Sequence, residues 1–269
     1  MLMNGYRIID AHAHIFPEKI REKAVGAIGD FYDIPMEKKG SAEEILSFKD
    51  SLGIMYSQVL SVATFPRQVV RINDFLEEEI TAHEEFIGFA TIHPDMEDEE
   101  LESEVDRILH MHFKGIKLHP DFQKFDLDSE NAKRFFSILD GRLPVLLHMG
   151  DNRMTYSHPR RLYNLTKLFP NQIFIGAHFG GYNAWDDAEE YLIGKTGIYI
   201  DTSSSLFKLD HERATGFIRK HGVEKTLFGT DYPMWDPKEE LERFFDLKLT
   251  DREREDILFN NCAKLHGII

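Results

Sequence analysis

Eight short apolar runs recur along the chain, and the segments between them carry apolar residues at helical spacing. The runs read YRIIDAHAH, YSQVLSVA, FIGFATIHP, FKGIKLHP, LPVLLHMG, IFIGAHFG, IYIDTSSS and TLFGTDYP. This alternation is typical of repeated βα units whose parallel strands are buried on both faces. The predicted strands end near His14, Ala63, His93, His119, His148, His178, Ser203 and Asp231. Eight such units in a chain of 269 residues predict an α/β fold, a (β/α)8 TIM barrel.

An open doubly wound sheet would show the same alternation and is the alternative fold. A glycine-rich phosphate loop after the first strand would favour that alternative, whereas the first strand here runs into HAHIFPE. We find no linker or composition break that divides the chain, so we expect a single domain over residues 1–269.

One helix has clear boundaries in the sequence. Ser41 is expected to cap its N-terminus with Glu44 as the capping-box partner, and Gly53 is expected to end it. The preceding piece, from Pro17 to Gly40, is too long for a minimal βα connection. We interpret it as an elaborated first loop, placed where it could cover the barrel mouth.

The chain is strongly acidic, with 47 Asp and Glu against 32 Lys and Arg and a net charge of −15. Such a field repels phosphate backbones and anionic lipid, so neither nucleic acid nor a membrane is an expected partner. The N-terminal segment shows no targeting pattern, which predicts a cytoplasmic protein. A small-molecule substrate is the expected partner, and the oligomeric state is left open, a homo-oligomer included. Cys262, the single cysteine, is expected to be a buried structural thiol.

Histidines concentrate where the predicted strands end. Six of the 13 histidines lie there, although these positions make up roughly a tenth of the chain and chance would place about one. The six are His12, His14, His93, His119, His148 and His178. The carboxyl ends of barrel strands form the mouth that carries catalytic residues, and imidazole is the commonest ligand for transition metals.

The His-x-His pair, His12 and His14, is the most specific of these features. Side chains two positions apart on a strand lie on the same face, so both rings can reach one metal ion. Taken alone, the pair is better explained by two half-buried histidines satisfied by hydrogen bonds. His148, His178 and Asp231 end three further apolar strands, and a carboxylate there is costly unless it meets a cation or donors. Together these positions predict a metal site.

These motifs resemble the amidohydrolase superfamily, and within it the amidohydrolase-2 branch of metal-dependent hydrolases and decarboxylases. The resemblance runs from Asp10 to Ile269 and is carried by DAHAHIF, GIKLHP, LLHMG, GAHFGG, IDTSSS, FGTDYP and NNCAKLHGI. It implies metal ligation by His12, His14, His148 and Asp231, normally to zinc. It also implies that His178 is either a proton-transfer residue or the ligand of a second metal.

Further residues are candidates for substrate binding. Some relatives with two metals carry a carboxylated lysine at the position of Lys117, but we favour an ammonium group that pairs with a substrate carboxylate or an acidic neighbour. His119 could touch substrate or be a hydrogen-bonded wall residue, and His93 fits the wall better. Arg153 follows the fifth strand and would suit a carboxylated substrate. Asp201, Thr202 and Ser203 are assigned no chemistry.

The predicted ligand set keeps a position open for a water, whose pKa a divalent ion can lower to about 7. We therefore expect a hydrolase that cleaves an amide, ester or lactone of a small, carboxylated substrate, with His178 and Asp231 as catalytic proton carriers. The alternative is non-oxidative decarboxylation of an aromatic or unsaturated acid. A barrel that only binds is a third hypothesis, against which the intact set of ligands argues.

Overall fold

Eight strands form one sheet in the order β1 to β8 in the computed structural model, which describes residues 5–195 and 197–269. The strands are β1 Ile8–His14, β2 Ile54–Leu60, β3 Phe86–Thr91, β4 Gly115–Leu118, β5 Val145–Leu147, β6 Phe174–Gly176, β7 Ile198–Asp201 and β8 Thr226–Leu227. The backbone N–H of Ala11 donates to the carbonyl of Phe228 at 2.8 Å, so the chain just after β8 adjoins β1. The fold is the predicted (β/α)8 TIM barrel, and the open sheet is excluded.

Twelve α-helices are assigned within the described residues. They are α1 Glu18–Tyr32, α2 Ala42–Leu52, α3 Val69–Ala82, α4 Asp98–His110, α5 Pro120–Gln123, α6 Glu130–Leu139, α7 Pro159–Leu168, α8 Trp185–Tyr191, α9 His211–His221, α10 Pro237–Phe245, α11 Asp251–Glu255 and α12 Asn261–Leu265. Among residues 5–195 and 197–269, no helix is both long enough and apolar enough to cross a bilayer.

Contacts between residues group the described chain into two units. The terminal unit comprises the described residues up to Leu60, together with His83–Ile87 and Thr202–Ile269. The central unit comprises Ser61–Ala82 and Gly88–Asp201. In the terminal unit β1 pairs in parallel with β2, and in the central unit parallel pairing runs without a break from β3 through β7.

Most predicted strand ends fall close to the observed ones. β1 ends at His14 as expected, and His93, His119, His148 and His178 each follow the last residue of their strand by one or two positions. The largest difference is at Asp231, since β8 already ends at Leu227. The three residues between them lie outside the assigned strand although their segment still bonds to β1, and Asp231 itself has a left-handed backbone with φ 59°.

The interpretation of residues 17–40 as a loop is wrong in its main part, because α1 occupies Glu18–Tyr32. The helix starts after Pro17 without a side-chain cap and contains Gly26 and Gly29, so it lacks the start signal and the helix propensity that mark a helix in a sequence. A left-handed residue, Asp33, ends it. What remains as a loop is the short stretch that leads to Ser41.

The boundaries of α2 are confirmed, but its capping box is incomplete. Ser41 Oγ accepts from the Glu44 N–H, and Gly53 ends the helix with φ 79°. The Glu44 carboxylate does not return to the Ser41 N–H. It accepts from the Lys39 N–H at 2.8 Å and from the Tyr232 hydroxyl at 2.5 Å, while the Ser41 N–H donates to that hydroxyl. A distant tyrosine therefore replaces the local partner.

Cys262 is buried with 1% of its surface exposed, and burial raises the pKa of its thiol. This confirms the expected buried thiol. Glu240 on α10 is a second buried ionisable group, with 0% of its surface exposed. Burial, partly offset by its partner Arg243, raises the pKa of the Glu240 carboxyl to about 8 from 4.5.

The raised pKa of Glu240 predicts a pH-dependent stability. Between about pH 4.5 and 8 the unfolded chain releases a proton that the folded protein keeps, so the free energy of unfolding falls as the pH rises. Glu240→Gln cannot titrate and should flatten this part of the profile. Urea denaturation at pH 5 and pH 8 measures the effect, and equal pH slopes for variant and wild type would contradict it.

Candidate metal centre

His12 and His14 lie on β1 and present their rings on the same side of the strand. Their ring centroids are 5.4 Å apart. His12 is fully buried and His14 is largely buried, with 12% of its side chain exposed. The strand geometry thus brings two imidazoles together, as the His-x-His spacing predicts.

Asp231 completes a triad with this pair inside the terminal unit. Its backbone N–H donates to the His12 carbonyl at 2.8 Å, which holds the carboxylate next to β1. One oxygen, Oδ1, lies 3.4 Å from His12 Nε2 and 3.4 Å from His14 Nε2. We call His12, His14 and Asp231 the ligand triad.

The ligand triad fits a divalent ion. Its three ligand atoms lie within 4.8 Å of one another. Ligands about 2.0 to 2.1 Å from a tetrahedral ion are roughly 3.3 to 3.4 Å apart, which matches the observed separations from Asp231 Oδ1. Three of the four predicted metal ligands are therefore brought together, and the donor set of two imidazoles and a carboxylate suits zinc or a similar ion.

Asp10 holds the triad's backbone in place and was not singled out as a functional residue from the sequence. It is 2% exposed, and its carboxylate accepts from the N–H of His12 at 3.1 Å and of Thr230 at 2.9 Å, and from the Thr230 hydroxyl at 2.6 Å. An acidic residue within the apolar first strand, two positions before His12, was the available signal. Its partner Thr230, 220 positions away, could not be read from the sequence.

Two consecutive serines after β7 contact the triad. Ser203 Oγ lies 3.1 Å from His12 Nδ1, and Ser204 Oγ donates to Asp231 Oδ2 at 2.5 Å. Trp235 Nε1 donates to Ser204 Oγ at 2.8 Å. The sequence assigned no chemistry to this segment, and nothing in the pattern IDTSSS distinguishes these hydroxyls from others.

The fourth predicted ligand, His148, belongs to the central unit. It is 3% exposed, its Nδ1 lies 3.0 Å from His178 Nε2, and its Nε2 lies 3.6 Å from Asp121 Oδ2. Its ring stacks on that of His119 with centroids 3.8 Å apart. The structure therefore brings together His148, His178 and His119, three of the residues predicted to act at the site.

Asp121 was missed in the sequence. It is 2% exposed, and Ser157 Oγ donates to its Oδ2 at 2.5 Å. Burial raises the pKa of the Asp121 carboxyl to about 7, against the lowering effect of that hydrogen bond. Its place two residues after His119 in the HPDF segment was the only signal.

The ligand atoms of His119, Asp121 and His148 also lie within 4.8 Å of one another. His119 is a poor metal ligand, however, because its Nδ1 accepts from the Phe122 N–H at 3.3 Å and Nε2 then carries the ring proton. An Nε2–H group is a hydrogen-bond donor. This arrangement agrees better with the predicted contact to substrate.

His178 has a constrained backbone. Its φ is 61°, its N–H donates to Asp201 Oδ1 at 2.9 Å, and its carbonyl accepts from Trp185 Nε1 at 3.1 Å. Asp201, which received no chemical role from the sequence, thus anchors the predicted proton carrier. The backbone is fixed from both sides, so the imidazole is held beside His148.

The remaining candidates have distinct environments. Lys117 on β4 is buried, with 1% of its surface exposed. Arg153 forms a two-pronged pair with the buried Asp151, with Nε 2.9 Å from Oδ1 and Nη2 2.6 Å from Oδ2. The His93 ring accepts from the Asp95 N–H, in agreement with a hydrogen-bonded wall residue. The roles of Lys117 and Arg153 toward substrate stay predictions.

Solved structures share this fold across nearly the whole chain. A dihydroxybenzoic acid decarboxylase from a Polaromonas species, with bound manganese and the inhibitor 2-nitroresorcinol, has a TM-score of 0.77 and 17% identity over 98% of this chain and 97% of its own. A 5-carboxyvanillate decarboxylase from Sphingomonas paucimobilis has a TM-score of 0.77 and 14% identity over 98% and 99%. An uncharacterized TIM-barrel protein from Bordetella bronchiseptica reaches 0.80, with 18% identity over 97% and 98%.

These identities establish the likeness of fold only. A comparison with curated proteins gives no significant match. The family model of the amidohydrolase-2 group, described as amidohydrolase, matches residues 9–268, which include both the ligand triad and the histidines of the central unit. The chain therefore belongs to the amidohydrolase-2 family.

Proposed function

We propose that this protein is a metal-dependent, non-oxidative decarboxylase of a small aromatic or unsaturated acid. The observation that carries the proposal is the environment of Asp231, which differs at its two carboxylate oxygens. Oδ1 faces the two imidazoles of the triad, and Oδ2 accepts from Ser204. A carboxylate held in this way is suited to be a permanent ligand.

This reverses the order of the two functions expected from the sequence. Hydrolysis was favoured because Asp231 and His178 could each carry a proton, one to activate water and one to protonate the leaving group. If Asp231 took up a proton at Oδ2, Ser204 would have to turn its own proton elsewhere. The acceptor within reach is Met234 Sδ at 3.4 Å, and a thioether is a weak acceptor. Hydrolysis stays an unconfirmed prediction.

Decarboxylation needs a single proton donor. The bond between the substrate carbon and its carboxylate breaks, CO₂ leaves, and the electron pair left on carbon takes a proton. We assign this donor to His178, whose ring lies 3.0 Å from that of His148 and whose backbone is fixed by Asp201. A bound divalent ion would supply the positive charge that holds the acid and a neighbouring oxygen.

The metal ligands in this proposal are His12, His14, His148 and Asp231. Lys117, His119 and Arg153 are assigned to substrate binding, with the Nε2–H of His119 as a donor to a substrate oxygen. The names of the structural neighbours support this reaction class, since two of those described above are a dihydroxybenzoic acid decarboxylase and a 5-carboxyvanillate decarboxylase, and the first holds manganese. The identity of the ion, zinc or manganese, is part of what the experiments decide.

The first prediction concerns metal content. His14→Ala and Asp231→Asn should lose most of the bound divalent ion after dialysis, because each removes one corner of the ligand triad. His112→Ala is the matched control, since that ring is 76% exposed and pairs with Glu77. Elemental analysis measures the zinc and the manganese content of the same sample. Wild-type metal content in both triad variants would rule out the site.

The second prediction separates decarboxylation from hydrolysis. Incubation with a panel of hydroxybenzoates in D₂O should release one CO₂ per turnover and place one deuterium on the product carbon, because solvent supplies the proton. Lactones, esters and amides incubated in ¹⁸O-labelled water are the comparison panel. Labelled carboxyl product from that panel, with no CO₂ released from any acid, would establish a hydrolase instead.

The third prediction tests His178. His178→Asn should lower kcat by about 10² to 10⁴ while the metal content is unchanged, as expected for loss of a proton donor. Asparagine tolerates the left-handed backbone of this position and keeps the N–H bonded to Asp201. If the variant instead loses about half of its metal, His178 is the ligand of a second ion.

A further inference from the structure

The tandem serines Ser203 and Ser204 each contact a different member of the ligand triad. Ser203 is 0% and Ser204 is 1% exposed. Successive side chains usually diverge, but Ser204 has a left-handed backbone with φ 45°, which changes the direction of the chain between them. One short segment therefore reaches both His12 and Asp231.

Ser204 is arranged to give its proton to Asp231. A hydroxyl has one proton and accepts through its lone pairs, and the indole N–H of Trp235 donates to Oγ at 2.8 Å. The remaining choices for the Ser204 proton are Asp231 Oδ2 at 2.5 Å and Met234 Sδ at 3.4 Å. The charged oxygen is by far the stronger acceptor, so the hydroxyl points to the carboxylate.

This bond determines how Asp231 can bind an ion. Oδ2 accepts from Ser204, while Oδ1 lies 3.4 Å from His12 Nε2 and 3.4 Å from His14 Nε2. The carboxylate is thus presented with one oxygen rather than two. Freed from Ser204, it could rotate and offer both oxygens, which would raise the coordination number.

Ser203 acts on His12 in a complementary way. A ring that binds an ion through Nε2 must carry its proton on Nδ1, and Ser203 Oγ lies 3.1 Å from Nδ1. The serine oxygen can accept that proton's hydrogen bond. It therefore favours the tautomer in which Nε2 keeps its lone pair toward the triad.

We propose that Ser203 and Ser204 are positioning residues that set the affinity and coordination geometry of the metal, Ser203 through the His12 tautomer and Ser204 through one-oxygen binding by Asp231. The inference rests on the proposed metal site and concerns the ion's surroundings, not the substrate. Groups that hydrogen-bond to metal ligands typically change metal affinity by about 10 to 100-fold when they are removed.

The experiment uses the full chain stripped of metal and titrated with Zn²⁺ against a competing chelator. Ser203→Ala and Ser204→Ala should each weaken binding by about 10 to 100-fold. Ser205→Ala is the matched control, because Ser205 is equally buried but donates to the Ser203 carbonyl and contacts neither ligand. Its affinity should match that of the wild type.

The visible absorption spectrum of bound Co²⁺ reports coordination number, which a simple loss of side-chain packing would not change. Four-coordinate Co²⁺ absorbs visible light more strongly than six-coordinate Co²⁺, so Ser204→Ala should weaken and shift the bands as Asp231 begins to bind with two oxygens. Ser203→Ala should weaken affinity with a smaller spectral change. The melting temperature of each metal-free variant identifies any that fail to fold.

Trp235→Phe is the second variant, should Ser204→Ala not fold. It removes the indole N–H that orients Ser204 but keeps the ring that stacks on Phe207. We expect Zn²⁺ affinity and the Co²⁺ spectrum to change in the same direction as in Ser204→Ala, but by less.

Zn²⁺ affinity within twofold of the wild type in both serine variants, with an unchanged Co²⁺ spectrum, would overturn the inference. A wild-type protein that binds no divalent ion would overturn the metal site itself, and the inference with it.

Discussion

The backbone pairing between β1 and the segment after β8 is the interaction on which the candidate site depends. Three hydrogen bonds carry it, from Ala11 N–H to the Phe228 carbonyl, from Asp231 N–H to the His12 carbonyl, and from His14 N–H to the Tyr232 carbonyl. They join residues more than 200 positions apart. Barrel closure and assembly of the ligand triad are therefore one event, and a chain that failed to close would have no site.

Asp10 links that closure to electrostatics. A buried carboxylate is costly unless donors replace its lost water, and Asp10 obtains three donors from β1 and from Thr230. Because two of the donors belong to Thr230, the carboxylate is fully satisfied only when the segment carrying Asp231 is docked. The cost of burying the charge thus penalises open states and favours the closed one.

The sequence predicts well whatever depends on local spacing. Eight apolar runs indicated the eight strands, Ser41 and Gly53 marked α2, and the His-x-His pair implied two rings on one face. Features that depend on distant partners were out of reach. The Glu44 carboxylate meets Tyr232 instead of its own helix start, and Ser204, which has a left-handed backbone, meets Asp231. Helix α1 has no capping side chain and contains two glycines, so no local signal marked it.

The choice between two reactions illustrates the same limit. From the sequence, a carboxylate and a histidine near a metal are equivalent proton carriers, and hydrolysis follows naturally. In the structure they differ, because Asp231 accepts a hydrogen bond from Ser204 at Oδ2 whereas His178 lies beside the ring of His148. Protonation of Asp231 at Oδ2 would exchange a charge-assisted hydrogen bond for one to a thioether, so a proton is more costly to place on that oxygen. The hydroxyl of Ser204, a residue with no recognisable motif, thereby supports the proposed decarboxylase, which needs a single proton carrier.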